Sequence, residues 1–506
     1  FSVCVAHFAD PNVSDFHSGC PPAPFLLTIL SYFLDNINIF LKIFLHFSQF
    51  FAKFRHYFCN FRIKCGMFSN SFFPEKACYF VGIGGVSMSA LALLLSERGI
   101  RVRGCDARES HFTRKLRAAG LRVTIGEEEI SENTIVYTEA VDMHAANLER
   151  ARRAGKRLLS RAELLGRIAE EYPHVLAVAG CHGKTSATAM LAHIFSCGKR
   201  AFTCHIGGED LDLGNYHCTG GEFFLTEACE FRRSFLRLKS EIAVVLNTDL
   251  DHTDCYRDHD DLLAAYRMFA ESADMAVVNA DDAGARSIPC ALSFGLYAGD
   301  VRAKHLFGEG ERYAFTVTEK GTPTVRIRLR VHGKVQIYNA LAAYAAARLA
   351  GFTPEEIRRG LESFRGVKRR FEKVGTLNGA PVICDYAHHP REIAAAMDAA
   401  EGICAGTVRV VFQPHTYTRT RDLMKDFVAV LRRAENPIIY RTYAARERFS
   451  FDGSAVALVS RVPEASYVQS PENLKKRLLE EVGKADVVLA LGAGDIYEIV
   501  KGIVDV

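Results

Sequence analysis

HVLAVAGCHGKTSATAMLAHIFSC, residues 174–197, is an apolar run, a turn bounded by Gly180 and Gly183, and a longer stretch that opens on Lys184 and Thr185. The short apolar run entering a glycine turn reads as a buried strand, and the stretch behind it as a helix. Strand, glycine turn and helix N-terminus in that order aim backbone amides at one point, where they hold phosphate. Lys184 is placed to meet β- and γ-phosphates, and the Thr185 hydroxyl to ligate Mg²⁺. The full phosphate-loop pattern, G-x-x-x-x-G-K-[ST], also asks for glycine at position 178, where Val178 stands. The loop is therefore a shortened one. His182 within it reads either as a packing side chain or as part of the grip.

The same alternation extends outward in both directions. Upstream, ACYFVGIGG (77–85) is a strand running into a glycine turn, and SMSALALLLSERG (87–99) a helix stopped by Gly99. IRVRGCD (100–106), HFTRKLRAAG (111–120), TIVYTEA (134–140) and AANLERARRAG (145–155) continue as strand, helix, strand and helix. The pattern restarts near Tyr172-Pro173, with further strands at EFFLTEA (222–228), EIAVVLNT (241–248) and DMAVVNA (274–280). Residues 311–331 change period: RYAFTV, a turn at EKGTP, then VRIRLRV in strict alternation predict a half-exposed hairpin. The alanine-rich NALAAYAAARLAG and then TPEEIRRGLESF, capped by Thr353 with Pro354 in its first turn, read as helices. A third start follows RRFEKVG, with strands at APVICDYA, VRVVFQP, PIIYRTY and ADVVLALGAG. Strands and helices in alternation imply parallel α/β sheets. Three α/β domains are expected, over residues 67–171, 172–368 and 369–506.

The totals agree with a large globular chain. At 506 residues, with 49% hydrophobic and 24% charged residues, several domains with ample cores are expected. A net charge of +4 on that length points to no nucleic-acid partner. The 15 cysteines are scattered, odd in number and free of any C-x-x-C, so reduced thiols in the cytoplasm are expected. Residues 1–66 stand apart. They begin with Phe1 and hold 13 of the 35 phenylalanines. The run PFLLTILSYFLDNINIFLKIFLHFSQFF is interrupted by Asp35, Asn36, Asn38, Lys42 and His46, and its uncharged part falls short of the ~20 residues of a membrane span. This segment is expected to lie outside the fold, with Met67 as the start, and no membrane insertion is expected for residues 67–506.

Several other clusters carry chemistry. Gly82, Gly84 and Ser87 come within one residue of a dinucleotide fingerprint, with Asp106 ending the next strand. The third glycine is missing, so the turn suits NAD poorly; a sugar-nucleotide diphosphate would use the same amides, and a bare tight turn is the plain alternative. Glu227 ends one strand and Asp251-His252 follows another; a carboxylate at a strand end suits Mg²⁺, while Asp251-His252 reads equally as a capped turn. In the C-terminal third, CDYAHHP and FQPHTYTRTRD place Tyr386, His388, His415, Arg419 and Arg421 at strand ends, where they suit carboxylates or phosphates.

Taken in order, GIGGVSMSALA, GCHGKT, EACEFRRSF, LNTDLDH, GVKRRFEKVG, DYAHHPREI, FQPHTYTRTRDL and GAGDIYEI resemble the Mur ligase family, from about Cys78 to the C-terminus. The resemblance implies a Rossmann-like UDP-binding domain, a central P-loop ATPase domain and a C-terminal Rossmann-like domain. It implies ATP and Mg²⁺ as cofactors, and ligation of L-alanine to the carboxylate of UDP-N-acetylmuramate in peptidoglycan synthesis, by a cytoplasmic monomer or homodimer. By the same resemblance Gly82, Gly84, Gly85, Ser87, Met88, Ser89 and Asp106 hold the UDP-sugar. Gly180, Cys181, His182, Gly183, Lys184, Thr185, Ser186, Asn339, Arg370 and Asp385 hold ATP. Thr185, Glu227 and His252 hold the metal, and Tyr386, His388, His415 and Arg419 surround the muramoyl carboxylate and the incoming alanine. Lys184, Glu227, His252, Arg370 and His388 are the catalytic set.

Four positions in three motifs depart from the family pattern: Cys181 where GTHGKT has threonine, Val335 and Gln336 where GxHNxxNA has histidine and asparagine, and Cys384 where an aspartate precedes DYAHHP. Rival readings are the ligase that attaches a murein tripeptide to the same sugar nucleotide, a catalytically silent nucleotide-binding regulator, and an NAD(P) oxidoreductase.

Overall fold

The computed structural model describes residue 73 and residues 75–504, apart from 140, 142–144, 250–254, 310–311 and 446. The expectations for residues 1–66 and for His252 lie outside the described residues.

Three sheets follow one another along the chain. The first joins β1 (Ala77–Val81), β2 (Arg101–Asp106), β3 (Arg122–Ile125), β4 (Thr134–Tyr137) and β5 (Arg157–Ser160) in the order β3-β2-β1-β4-β5, all parallel. Every residue of β1 is buried, as its unbroken apolar run requires. The chain winds outward from β1 in both directions, so the Gly82–Gly85 turn lies at the switch point, where α/β sheets open a ligand crevice.

The second sheet holds β6 (His174–Ala179), β7 (Phe202–Asp210), β8 (Gly214–Cys218), β9 (Phe223–Glu227), β10 (Ile242–Val245), β11 (Met275–Asn279), β12 (Leu292–Gly295), β13 (Val301–Glu309), β14 (Arg312–Glu319) and β15 (Val325–Leu329). Its order is β15-β14-β13-β12-β11-β10-β6-β9-β7-β8. β6 is flanked by β9 and β10, both parallel to it, and it feeds the helix Lys184–Cys197, which is buried along most of its length. The expected hairpin at 311–331 is the outer part of a three-stranded antiparallel edge, because β13 also pairs with β14. The charges within VRAKHLFGE hide a strand that is mostly exposed at the sheet margin. β7 and β8, which the sequence reading passed over, form an antiparallel ribbon at the opposite edge.

The third sheet orders β16 (Glu372–Leu377), β17 (Ala380–Asp385), β18 (Val408–Phe412), β19 (Ile438–Tyr440), β20 (Ser466–Val468) and β21 (Val487–Leu491) as β16-β17-β21-β18-β19-β20. Only β16 runs antiparallel. The fold is three-domain α/β.

Among the described residues ten cysteines are free thiols. No helix among the described residues is long and apolar enough to cross a membrane.

Candidate active site

The glycine turn after β6 explains its own shortness. Val178 lies within β6, paired with Glu227 of β9, so the position of the absent glycine is strand and the loop begins at Gly180. Gly180 (φ +141°) and Gly183 (φ +84°) occupy backbone conformations that side chains rarely adopt. A Cβ on Gly183 would come within 2.3 Å of Asn339 Oδ1. Gly183 caps the helix Lys184–Cys197 without a side-chain bond, so the amides of the first turn remain for a ligand. The helices Val86–Glu97 and Lys334–Leu349 begin in the same way, at Gly85 and Gly333. By contrast Ser110, Ser160, Thr353 and His389 close their helices with capping boxes.

Lys184 Nζ donates to both oxygens of Glu230, at 3.1 and 3.0 Å, and to the carbonyls of Gly180 (2.5 Å) and Cys181 (3.2 Å). Burial pulls the lysine pKa down, but the Glu230 carboxylate more than offsets it and holds the ammonium above its usual range. Glu227 accepts the Gly207 amide at 2.5 Å; burial raises its pKa against the opposing charges of Lys184 and Arg370. The Thr185 hydroxyl helps to counter the rise in the Glu227 pKa, and the hydroxyl and the carboxylate both offer hard oxygen donors, which fit Mg²⁺.

A cavity of about 260 Å³ lies before this loop. The first helical turn (His182, Gly183, Thr185, Ser186) lines one end, and Val335, Gln336, Asn339 and Phe371 line another part of it. The C-terminal domain contributes Asp385, Arg391, Glu392 and a wall of Ala395, Ala396 and Ala399. His182 Nδ1 lies 3.1 Å from Glu392 Oε1, and Arg391 pairs with Asp249, so a histidine–carboxylate contact and an ion pair join the two domains across the cavity. Burial opposes ionisation of Glu392, yet His388 and His182 hold its carboxyl well below the usual range. Burial pushes Asp385 the other way, up to about 6, although Phe371 and Ala387 each donate an amide to it at 2.7 Å.

A second cavity, about 500 Å³, opens between the glycine turn of the first domain and the other two domains. Gly84, Val86, Arg114, Gly207, Lys368, Arg369, Tyr386 and Lys501 line it. Arg370 lines both cavities, with its guanidinium 5.0 Å from the Tyr386 ring centre.

Three family models match the chain: the Mur ligase family catalytic domain over residues 77–173, the Mur ligase middle domain over 178–347, and the Mur ligase glutamate ligase domain over 369–494. The chain belongs to the Mur ligase family. It is 36% identical to the UDP-N-acetylmuramate–L-alanine ligase of Clostridium novyi (strain NT), over 84% of this chain and 96% of that protein. To the enzyme of the same name in Clostridium acetobutylicum it is 37% identical, again over 84% and 96%. The crystal structure of the UDP-N-acetylmuramate-alanine ligase of Thermotoga maritima superposes with a TM-score of 0.74 at 26% identity, covering 84% of this chain and 98% of that one.

In this Mur ligase the expected residues fall into distinct settings. His182, Gly183, Thr185, Ser186, Asn339, Arg370 and Asp385 line the first cavity. Cys181 does not: it is buried behind the loop, its Sγ against the Asp249 carbonyl and 3.6 Å from the Tyr266 hydroxyl. Gly84 lines the second cavity, but Met88 is core and Ser89 is fully buried, so their side chains do not face it. Asp106 accepts the Gly84 amide at 2.8 Å and so braces the turn. His388 and His415 meet at 5.9 Å between ring centres, and Arg419 donates to the His415 carbonyl at 3.1 Å. Burial, reinforced by the neighbouring His388 and Arg419, drops His415 to about 3.

The sequence reading missed Glu230, although it lies in the quoted EACE; two acids so close after a strand end were the available signal. It also missed Asp249, Glu392 and Tyr443, whose ring stacks on His415 at 5.5 Å and 9°. Tyr443 reaches the cluster only through the parallel packing of two strand ends.

Proposed function

We propose that this Mur ligase joins L-alanine to the carboxylate of UDP-N-acetylmuramate with cleavage of ATP to ADP and phosphate, in peptidoglycan synthesis in the cytoplasm. The observation that carries this reading is Arg370: one guanidinium faces both the phosphate-loop cavity and the cationic cavity beside the sugar-domain turn. A phosphoryl donor in the first and an anionic acceptor in the second would meet there. The names of the relatives supply the substrates. We assign the domains to residues 67–171, 172–368 and 369–506, where one sheet gives way to the next.

A carboxylate and an amine do not condense directly, because oxide is too poor a leaving group. The muramoyl carboxylate oxygen attacks the γ-phosphorus and ADP departs, leaving an acyl phosphate. The alanine nitrogen then attacks the acyl carbon, phosphate leaves, and the amine loses its proton. The amides of the Lys184–Ser186 turn and the Lys184 ammonium hold the phosphates, for which Lys184 has only to turn from Glu230. Thr185 and Glu227, with His252 by family resemblance, would hold Mg²⁺, which neutralises phosphate charge when bound. Asn339 backs the loop at Gly183, and the amides of Gly82–Gly85 suit the UDP diphosphate. His388, whose Nδ1 faces the Tyr386 carbonyl at 2.9 Å, presents Nε2 as the nitrogen suited to accept the amine proton. Tyr386, His415 and Arg419 shape the alanine pocket around it.

Phosphate release in the presence of UDP-N-acetylmuramate, ATP and L-alanine tests the reading, with glycine, L-serine and the murein tripeptide as competing acceptors. Release with L-alanine supports it, and release with the tripeptide alone overturns it. Lys184→Ala is expected to abolish release while leaving the fold intact by circular dichroism; near-normal turnover would remove Lys184 from the mechanism.

A further inference from the structure

β7 carries no recognised motif, yet its HIGGE segment touches each part of the proposed site in turn. His205 is 2% exposed. Its Nε2 lies 2.7 Å from Ser87 Oγ, on the first turn of the helix after the sugar-domain glycine turn. Its Nδ1 lies 3.0 Å from Thr226 Oγ1. The Thr226 hydroxyl proton goes to the Glu227 carbonyl at 3.1 Å, so Nδ1–H donates to Thr226 and Nε2 accepts from Ser87. Gly207 then donates to the Glu227 carboxylate, and a Cβ on Gly208 would lie 2.7 Å from Thr185 Cγ2. Glu209 closes the strip by meeting Lys368 and His111, each at 3.0 Å. On β8, the fully buried Asn215 donates to the Val86 carbonyl (2.8 Å) and Ser89 Oγ (2.9 Å) and accepts from Lys115 (2.8 Å).

Two central-domain side chains therefore hold the opening turn of the sugar-domain helix, and one of them is linked to the strand end that bears Glu227. We propose that His205 is a positioning residue, and that the Ser87–His205–Thr226 chain sets the diphosphate turn of the sugar domain in register with the Glu227–Thr185 edge of the phosphate loop. A neutral imidazole suits this task because it is rigid and offers one acceptor and one donor on opposite sides. Burial keeps it neutral, with its pKa down at about 3. The inference rests on the reading of the glycine turn as the sugar-nucleotide site.

The full chain tests it by calorimetric titration of UDP-N-acetylmuramate and by steady-state kinetics on wild type, His205→Leu, His205→Gln, Ser87→Ala and the Ser87→Ala/His205→Leu double variant. Truncating a buried hydrogen bond is expected to weaken sugar-nucleotide binding about tenfold in His205→Leu, with the KM for ATP unchanged. Gln, which keeps an acceptor towards Ser87, restores most of the affinity. The double variant loses no more than the worse single one, since both remove the same contact. Equal loss for ATP and sugar nucleotide, unchanged sugar-nucleotide affinity, or additive losses would each overturn the proposal. Ser87→Ala adds no bulk and reads the same contact should His205→Leu fail to fold. Wild type that binds no UDP-N-acetylmuramate would instead overturn the functional reading beneath it.

Discussion

The two cavities that meet at Arg370 handle charge in opposite ways. The phosphate-loop cavity is lined by Asp249, Asp385 and Glu392 beside His182, Arg370 and Arg391, so its fixed charges nearly cancel. The sugar-side cavity gathers Arg114, Lys368, Arg369, Arg370 and Lys501 against Glu209 and Glu498. A nucleotide triphosphate in the first must draw on helix amides, Lys184 and a metal recruited by carboxyl oxygens. An anion in the second finds its countercharges already in place. The contrast fits a site in which phosphate passes from one cavity to an acceptor held in the other, and among the described residues Arg370 is the one side chain common to both linings.

Replacing Arg370 therefore gives the largest effect. Arg370→Ala is expected to lower kcat about 10²–10³-fold, the cost of removing a preorganised transition-state donor. It also raises the KM for both ATP and the sugar nucleotide. Arg370→Lys keeps the charge but not the planar fork over Tyr386, and recovers only part of the rate. A variant that changes one KM alone would assign Arg370 to a single cavity and break the comparison.

A smaller effect is expected at the rim. Lys501 is exposed, 5.2 Å from the Tyr497 ring centre, and lines only the sugar-side cavity. Lys501→Ala should raise the KM for UDP-N-acetylmuramate about threefold at low ionic strength, and the difference should vanish in high salt. The KM for ATP serves as the internal control, because Lys501 is absent from the other lining. An equal change in both would mean that the cavities share one field.

How much of this was legible beforehand differs between neighbouring residues. The strand, glycine turn and helix were readable because Gly180, Gly183 and Lys184 are contiguous with both elements, and local order alone creates the amide cluster. Glu227 was readable as a carboxylate at a strand end. That Cys181 turns inward toward Tyr266 was not, since residue identity does not report side-chain direction in a loop whose two glycines reverse the backbone. β7 escaped because Gly207 and Gly208 interrupt the β-branched pattern of a strand. The glycines are there because a Cβ on either would strike Glu227 or Thr185. Sheet order was beyond reach for the same reason: β21 inserts between β17 and β18 through packing that no local period encodes.

The acidity of the phosphate-loop cavity can be tested apart from turnover. Asp385 has its pKa pushed up to about 6 by burial, with Glu392 adding to the rise and Arg370 opposing it. An acid whose folded pKa is raised binds a proton in the native state that the unfolded chain has already released. That group therefore favours folding most below its ordinary value of 3.8, and the benefit is lost as pH rises to about 6. With its partial exposure allowed for, the change is about 2 kcal/mol. Asp385→Asn cannot ionise, so its unfolding free energy should gain on wild type by that amount between about pH 4 and pH 6. Chemical denaturation at several pH values reads the difference directly. A constant difference would mean that Arg370 already neutralises Asp385, and the balance of charge that separates the two cavities would then have to come from Asp249 and Glu392.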